Sequence, residues 1–494
     1  MPQTLPAPSG TAAAAPAVRP PRSRRLPARA AAGAGLLLAL ALQQSAVQAQ
    51  APTTPQPIDY ASARAQMQER SDRLAAARAG IASGELQARG LEGLGGPILS
   101  VSGSAVRYGL HLRPNLSGLG QGLEQISLPG LGALLPLPQL PQLISDDILN
   151  RHGQTAGASL AAIWPLYLGG AADAARGFVA AQTQESRAEA EQAGMDADTL
   201  LAQRYFGAQL AQRAAQLRQQ AERTIARHDQ AAQTMLAAGV ISRVERLQAQ
   251  VAFEDAKRQA AKAQDDAELA AQALARTIQA QGPVQPLSAL FVLSTPVEPL
   301  GHFLEAAMLR HPGLAKVAAK KQQAEQLHAG QEALRRPQVF AFGTRQIRGS
   351  DANWMAGLGL RWTLFDAVDR NALAASSLKK IEQAERTDAQ ARNDIGLLVE
   401  RNWRALENAR RAYLAMAPGE ELAREILRLR TAGLREGTST TLDLIDAETR
   451  LAQVQTERAQ AANEYVQALA QLLQSAGLSE QLPSYMARAD IRLD

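Results

Sequence analysis

Asp443 and Asp446 stand three positions apart in a stretch that reads as helix, so their carboxylates share one helical face. Such a pair can draw cations to a surface or a constriction. A local role competes for the first member, because Thr440 followed by Asp443 is also a capping box at a helix start. Glu245 lies 198 positions before Asp443. It reads either as a third member of the acidic feature or as a solvated helix charge.

The other reactive groups do not assemble into a catalytic set. Glu325 and His328 make a single helical pair, whereas a di-iron bundle needs two pairs and further carboxylates. Gly118-Leu-Gly-Gln-Gly122 has neither the lysine nor the strand-to-helix setting of a phosphate loop. The six histidines are scattered, and the absence of cysteine excludes disulfides, thiolate metal sites and a lipid-modified N-terminal cysteine. No enzyme activity, cofactor or metal is expected.

The elements that carry these residues come in two copies. Trp164 and Trp362 are 198 positions apart, as are Gly239 and Gly437. The matches continue through Leu160/Leu358, Leu166/Leu364, Leu247/Ile445 and Ala249/Ala447. A duplication of this length predicts a pseudo-symmetric architecture. Long helices are expected at about 171–238 and 371–436, each roughly 100 Å at 1.5 Å per residue. Gly239 and Gly437 then mark left-handed turns, and return helices run to about 281 and 475.

Before each long helix the period of the sequence changes to two. Alternating runs at 98–113 and 159–167, then at 338–348 and 354–365, predict two strand pairs. Val106, Tyr108, Leu110 and Leu112 fall on one face of the first strand. Ala356, Leu358, Leu360, Trp362 and Leu364 fall on one face of the last, opposite Gly357, Gly359, Arg361 and Thr363. An apolar face backed by a small or polar one, about ten residues long, suits either a membrane β-barrel or a half-buried soluble sheet. Helices are also expected at 58–91 and 314–335.

The expected organisation is a first repeat at 50–281, with its hairpin at about 171–281, and a second at 311–476, with its hairpin at about 371–475. A Pro-rich linker at 282–310 joins them and a tail covers 477–494. The first strand pair holds an additional connection at about 114–156, whose Leu/Pro-rich part, 114–145, opposes regular structure. Pro418-Gly419 interrupts the second long helix, where a kink is expected.

Residues 1–49 hold five arginines and no acid, then an apolar run ending at Leu42 and a small-residue site at Val47-Gln-Ala49. This reads as a secretory signal peptide, with an uncleaved anchor as the alternative. Without those arginines the 52 basic residues fall level with the 47 acidic ones. No basic stripe remains to bind nucleic acid. Only 4% of residues are aromatic, which favours long helices packed through small side chains over several globular cores.

Together these features resemble the TolC family of outer-membrane efflux and secretion ducts. Trp164-Pro-Leu-Tyr167 and Trp362-Thr-Leu-Phe365-Asp366 look like that family's exit from the second strand of each pair. The stretches 238–247 and 436–446 look like its two periplasmic hairpin tips, and His311-Pro-Gly-Leu314 like the opening of its second repeat. The first repeat lacks that opening.

The resemblance implies a mainly α fold with a small β part. Long-helix hairpins would form a trimeric α-barrel, and four strands per chain would enter a 12-stranded outer-membrane barrel. Four strands leave two edges that cannot face lipid, which independently calls for closure by further copies. The implied function is a passive homotrimeric duct that works with a periplasmic adaptor and an inner-membrane pump of the RND or ABC type.

By the same resemblance Asp443, Asp446 and Glu245 lie at the periplasmic entrance. Gly239, Val240, Gly437 and Thr438 form adaptor-docking tips. Trp164 and Trp362 lie at the membrane interface beside outer-membrane lipid, with burial in a soluble core as the alternative. An exported coiled-coil scaffold or adhesin is the competing reading, but an adhesin's strands would cluster at the C-terminus.

Overall fold

The computed structural model describes residues 55–111, 150–347, 353–365 and 367–493, all within the unit Thr54–Asp494. The leader at 1–49, the insert at 114–145 and the glycine cluster at 118–122 lie outside the described residues.

The first repeat runs through β1 (Gln56–Ile58), α1 (Tyr60–Arg70), α2 (Asp72–Gly90), β2 (Ile98–His111), β3 (Asn150–Tyr167), α3 (Ala171–Ala237) and α4 (Arg243–Thr277). A joint follows, containing β4 (Val284–Pro286), β5 (Leu290–Val292) and α5 (Leu300–Arg310). The second repeat comprises α6 (Pro312–Ala333), β6 (Gln338–Gln346), β7 (Trp354–Arg361), α7 (Arg370–Ala415), α8 (Ala417–Glu436) and α9 (Thr441–Ser475). The chain closes with α10 (Leu482–Arg488) and β8 (Ile491–Leu493).

α3 has 67 residues and so reaches about 100 Å. Its buried positions are mostly small, and Ala174, Ala181, Ala188 and Ala202 fall on a seven-residue repeat. That spacing keeps one seam turned toward its neighbours, and methyl-sized side chains let them approach closely. In the second repeat α7 stops at Ala415 and α8 starts at Ala417. Pro418 has no N–H to offer the carbonyl four residues back, which explains why the long helix divides there.

The two helical tips are built alike. Gly239 and Gly437 adopt φ of +72° and +73°, a region that favours glycine. Val240 N donates to Met235 O at 2.9 Å and Thr438 N to Gly433 O at 2.8 Å, closing each first helix with a Schellman turn. Two residues later the return helix opens with a capping box. Ser242 N donates to Glu245 Oε2 at 2.7 Å, and Glu245 N donates to Ser242 Oγ at 3.2 Å. Thr440 N donates to Asp443 Oδ2 at 2.9 Å, and Asp443 N to Thr440 Oγ1 at 3.1 Å. Both return helices have 35 residues, offset by the same 198 positions as the tryptophans.

The sheet of four strands is antiparallel throughout, in the order β2-β3-β6-β7. Strand β3 begins at Asn150, ahead of the expected 159, and pairs with β2 as far as His111. Asn150–Ala158 contains no large apolar residue, so alternation does not mark it. Conversely β7 ends at Arg361, and Trp362 and Leu364 lie beyond the strand that was expected to hold them.

The Pro-rich stretch is more than a linker, and the C-terminal segment is more than a tail. β1 pairs in parallel with β4, and β8 pairs antiparallel with β5, so both ends of the described chain are strapped to the joint. The main core forms around it. Tyr60 packs on Tyr205 and Phe206 with ring centroids 5.4 Å apart in each case, and Phe291 links Phe206 to Tyr465. Tyr205 is fully buried, donates to Ile58 O at 2.8 Å, and accepts from Leu287 N at 3.0 Å and Ser288 N at 2.8 Å. Glu298 accepts from Tyr485 Oη at 2.6 Å and from Arg488 at 2.7 Å. Among the described residues, every buried Tyr and Phe lies in this core.

Tyr205→Phe removes one hydroxyl that serves three backbone groups. We expect it to destabilise the protein by about 2 kcal/mol, since an unpaired buried group costs of order 1–3 kcal/mol. An unchanged denaturation midpoint would contradict this. The caps give a pH prediction. The Ser242 and Thr440 amides, then their side chains, hold the Glu245 and Asp443 carboxyls below their ordinary range. Depressed values stabilise the caps at neutral pH, and that contribution is lost as pH falls through the folded values, below about pH 4. Amide exchange at Ser242 and Thr440 should accelerate there together; exchange that ignores pH in this window, beyond its intrinsic dependence, would refute the role.

Candidate functional site

The paired acids at the second tip are divided by the fold. Asp443 is engaged by Thr440 through the capping box and lies 3.7 Å from Arg430 of α8. Asp446 is exposed, and among the described residues no ion-pair partner holds it. It lines a cavity of about 210 Å³ between the two hairpins, with Arg218, Asp255 and Gln259 on the facing helices and Ile225 and Ile445 at its base. Glu245 is tied to Ser242 in its own cap. Thr441 Oγ1 lies 3.9 Å from Met235 Sδ, so the start of α9 abuts the end of α3.

Val240 is exposed, and so are Gly239, Gly437 and Thr438. The tips therefore present backbone and small side chains on the short links 238–242 and 437–440. Arg246 and Asp229 brace the first tip from within, at 2.7 Å and largely shielded from solvent. The acids, the turns and their braces thus stand at one end of both hairpins. Sequence reasoning found those residues through the repeat offset, but it did not find Arg430 or the Arg218–Asp255 cavity, which are brought close only by helix packing.

At the opposite end of the long helices stands the sheet. Its register places Leu99, Val101, Leu160, Trp354, Leu358 and Leu360 on one face. All but Leu160 are at least 68% exposed. Trp164 belongs to the same face, half exposed, at the end near the helices. Trp362, also half exposed, follows β7 and donates its indole N–H to Arg335 O at 3.3 Å. Trp354 and Trp362 therefore mark the two ends of β7, about 27 Å apart at 3.3–3.4 Å per residue.

The other face is mixed, with Ser100, Ser102, Ser159, Thr344 and Gln346 beside Ile98, Ile163, Phe340, Phe342 and Met355. The Ser102 and Ser159 hydroxyls lie 2.8 Å apart. Phe340 and Phe342 lie over Gly359 and Gly357 across the β6–β7 pair, where a Cβ would overlap the first ring and press on the second. The side chains of Val106, Tyr108, Leu110 and Leu112 lie outside the described residues.

Two sets of unpartnered surfaces flank this plan. Strands β2 and β7 each have one edge without a partner strand in the sheet. At the tip end α4 packs on α3, α3 on α9 and α9 on α8, which makes α4 and α8 the outer members. Each exposes apolar residues: Val244, Leu247 and Val251 on α4, and Leu422, Ile426 and Leu429 on α8. Their three- and four-residue spacing puts each set on one stripe. That spacing was visible in the sequence, but only packing shows that these stripes face away from the chain's own core.

Among the described residues no helix is long and apolar enough to cross a membrane, and no group of three or more ligating side chains could hold a metal.

The fold matches solved outer-membrane channels along most of its length. The CmeC channel of Campylobacter jejuni superposes with a TM-score of 0.69 at 13% identity, over 87% of this chain and 88% of that one. The MtrE channel of Neisseria gonorrhoeae gives 0.67 at 18% identity, over 85% and 89%. VceC of Vibrio cholerae gives 0.65 at 13% identity, over 85% and 96%. No curated protein sequence matches the chain. The sequence pattern described as "Outer membrane efflux protein" matches residues 63–278 and 303–478, which is most of both repeats. The chain belongs to the outer membrane efflux protein family, as its TolC-like motifs imply.

Proposed function

We propose that this protein is the outer-membrane channel component of a tripartite efflux pump or a type I secretion system. The observation that carries this reading is the sheet, with two unpaired edges and an exposed apolar face opposite a serine-, threonine- and glutamine-bearing one. Lipid cannot satisfy free backbone groups, so a lipid-facing sheet must close. Three copies give twelve strands in one ring, with the exposed Leu-, Val- and Trp-bearing face outside and the Ser-, Thr- and Gln-bearing face toward a water-filled lumen. The stripes on α4 and α8 support the same closure below, where the α8 edge of one copy meets the α4 edge of the next.

In this homotrimer the sheet lies in the outer membrane and the long helices extend into the periplasm. Trp164 and Trp362 sit at the periplasmic interface, where indole rings are favoured. The tips form the entrance. Asp446 supplies the accessible charge of the acidic constriction, while Asp443 and Glu245 act through the caps that shape it. Gly239, Val240, Gly437 and Thr438 receive the periplasmic adaptor, which couples the duct to an inner-membrane pump of the RND or ABC type. The duct itself is passive.

The first test is the mass of the purified protein after detergent subtraction. A stable trimer from the outer-membrane fraction is expected, whereas a monomer carrying no detergent would return the chain to an exported scaffold. Val251→Glu and Leu429→Glu are exposed changes that should leave each protomer folded yet shift the trimer toward monomer. A trimer indifferent to both would remove the stripes from the interface.

Channel recordings separate the acids. Asp446→Ala should lower cation selectivity and weaken divalent block, and Asp443→Ala should chiefly loosen the tip. Unchanged recordings for the double variant would rule out an acidic constriction. A crosslinker at Val240 should capture the adaptor; failure to do so in an assembled pump would exclude docking there.

A further inference from the structure

Directly beneath the sheet, the end of α6 and the start of α7 form a shoulder with chemistry that the channel reading does not use. Arg335 donates to Glu332 at 3.1 Å and to Asn371 at 2.6 Å. Arg370 donates to Leu334 O at 2.9 Å. Between these charged groups lies a cavity of about 240 Å³ whose apolar wall is Leu334, Val368, Leu373 and Ala374. Leu334, Val368 and Leu373 are each about half exposed. The patch continues upward through Trp362, Leu364 and Phe365 to the exposed apolar face of β7.

We propose that this shoulder binds one zwitterionic aminophospholipid per protomer, drawn from the membrane leaflet that meets the helices. The inference rests on the membrane reading above. The charges are mixed rather than uniformly basic, which suits a headgroup that itself carries both signs. Its phosphate lies against Arg335, whose guanidinium has five N–H donors and commits only part of them within the chain. Its primary ammonium, a compact donor of three hydrogen bonds, meets Glu332. The cavity is smaller than one that encloses a whole drug-sized ligand. It therefore holds only the first part of an acyl chain, and the rest runs up along Trp362 and the apolar face of the sheet.

The test uses the purified full-length trimer in detergent, titrated with short-chain phosphatidylethanolamine, phosphatidylglycerol or phosphatidylcholine, with bound lipid counted by native mass spectrometry. Phosphatidylethanolamine should be retained best, because the quaternary ammonium of phosphatidylcholine cannot donate to Glu332 and phosphatidylglycerol has no cation to offer. Arg335→Ala should weaken retention of all three lipids by about tenfold, the loss of one charge-assisted hydrogen bond. Glu332→Gln, a conservative change at a half-buried position, should keep binding and abolish the preference for the primary amine. Inorganic phosphate should not compete.

Equal retention of the three lipids, indifference to both variants, or displacement by inorganic phosphate would overturn the assignment while the trimeric channel stands. A detergent-free monomer would overturn both together.

Discussion

The constraint on which the rest depends is the core at the joint between the repeats. Helices of this length gain little from intrinsic propensity and hold their places through tertiary packing. Here α3, α7 and α9 are gripped near one level by Tyr205, Phe206, Phe291 and Tyr465, with Tyr60 and Tyr485 arriving from the two ends of the described chain. The Tyr205 hydroxyl ties β1 to the joint, and Glu298 ties α10 to it. Away from that level the helices are held by small side chains and by interhelical pairs such as Lys316–Glu189 and Arg246–Asp229. A grip at one level with lighter contacts beyond it leaves both ends free for other work.

Those ends solve opposite physical problems. The tip end must reverse a long helix within the short links 238–242 and 437–440 while pairing the backbone groups that each helix end exposes. It does so with the same Schellman turn and capping box in each repeat. The carboxylates at 245 and 443 are first of all parts of those caps, so of these three acids Asp446 is the one that no cap engages. The sheet end has the reverse difficulty, because its backbone groups on β2 and β7 are left unpaired at the edges and its apolar face is exposed. Both features call for surroundings that one copy cannot supply.

The break at Met416 shows how the pseudo-symmetry is relaxed. Pro418 removes one hydrogen bond, and the first turn of α8 is secured instead by Glu420, a buried carboxylate paired with Arg424 and with Arg458 of α9. Arg458 also stacks on Tyr413, with its guanidinium carbon 4.9 Å from the ring centroid. The first repeat has no proline at the equivalent place, and α3 runs unbroken. The second helix thus follows the course of the first with a joint in it, braced from the side.

Much of this was legible in one sequence. The spacing of Trp164/Trp362 and Gly239/Gly437, the alternation before each tryptophan and the unbroken Ala-rich stretches depend only on local periodicity and turn chemistry, which a chain carries with it wherever it folds. Alternation failed at Asn150–Ala158, where strand pairing rather than side-chain pattern sets the length, and at Trp362–Leu364, where the pattern outlasts the hydrogen bonds. Tertiary structure alone decided that the Pro-rich stretch is the centre of the core, that the two ends of the described chain meet there, and that Arg430 approaches Asp443 while the Arg218–Asp255 cavity opens beside Asp446. Those outcomes join residues up to hundreds of positions apart, and no local signal encodes such a meeting, because it follows from which surfaces remain to be buried once the helices and strands have formed.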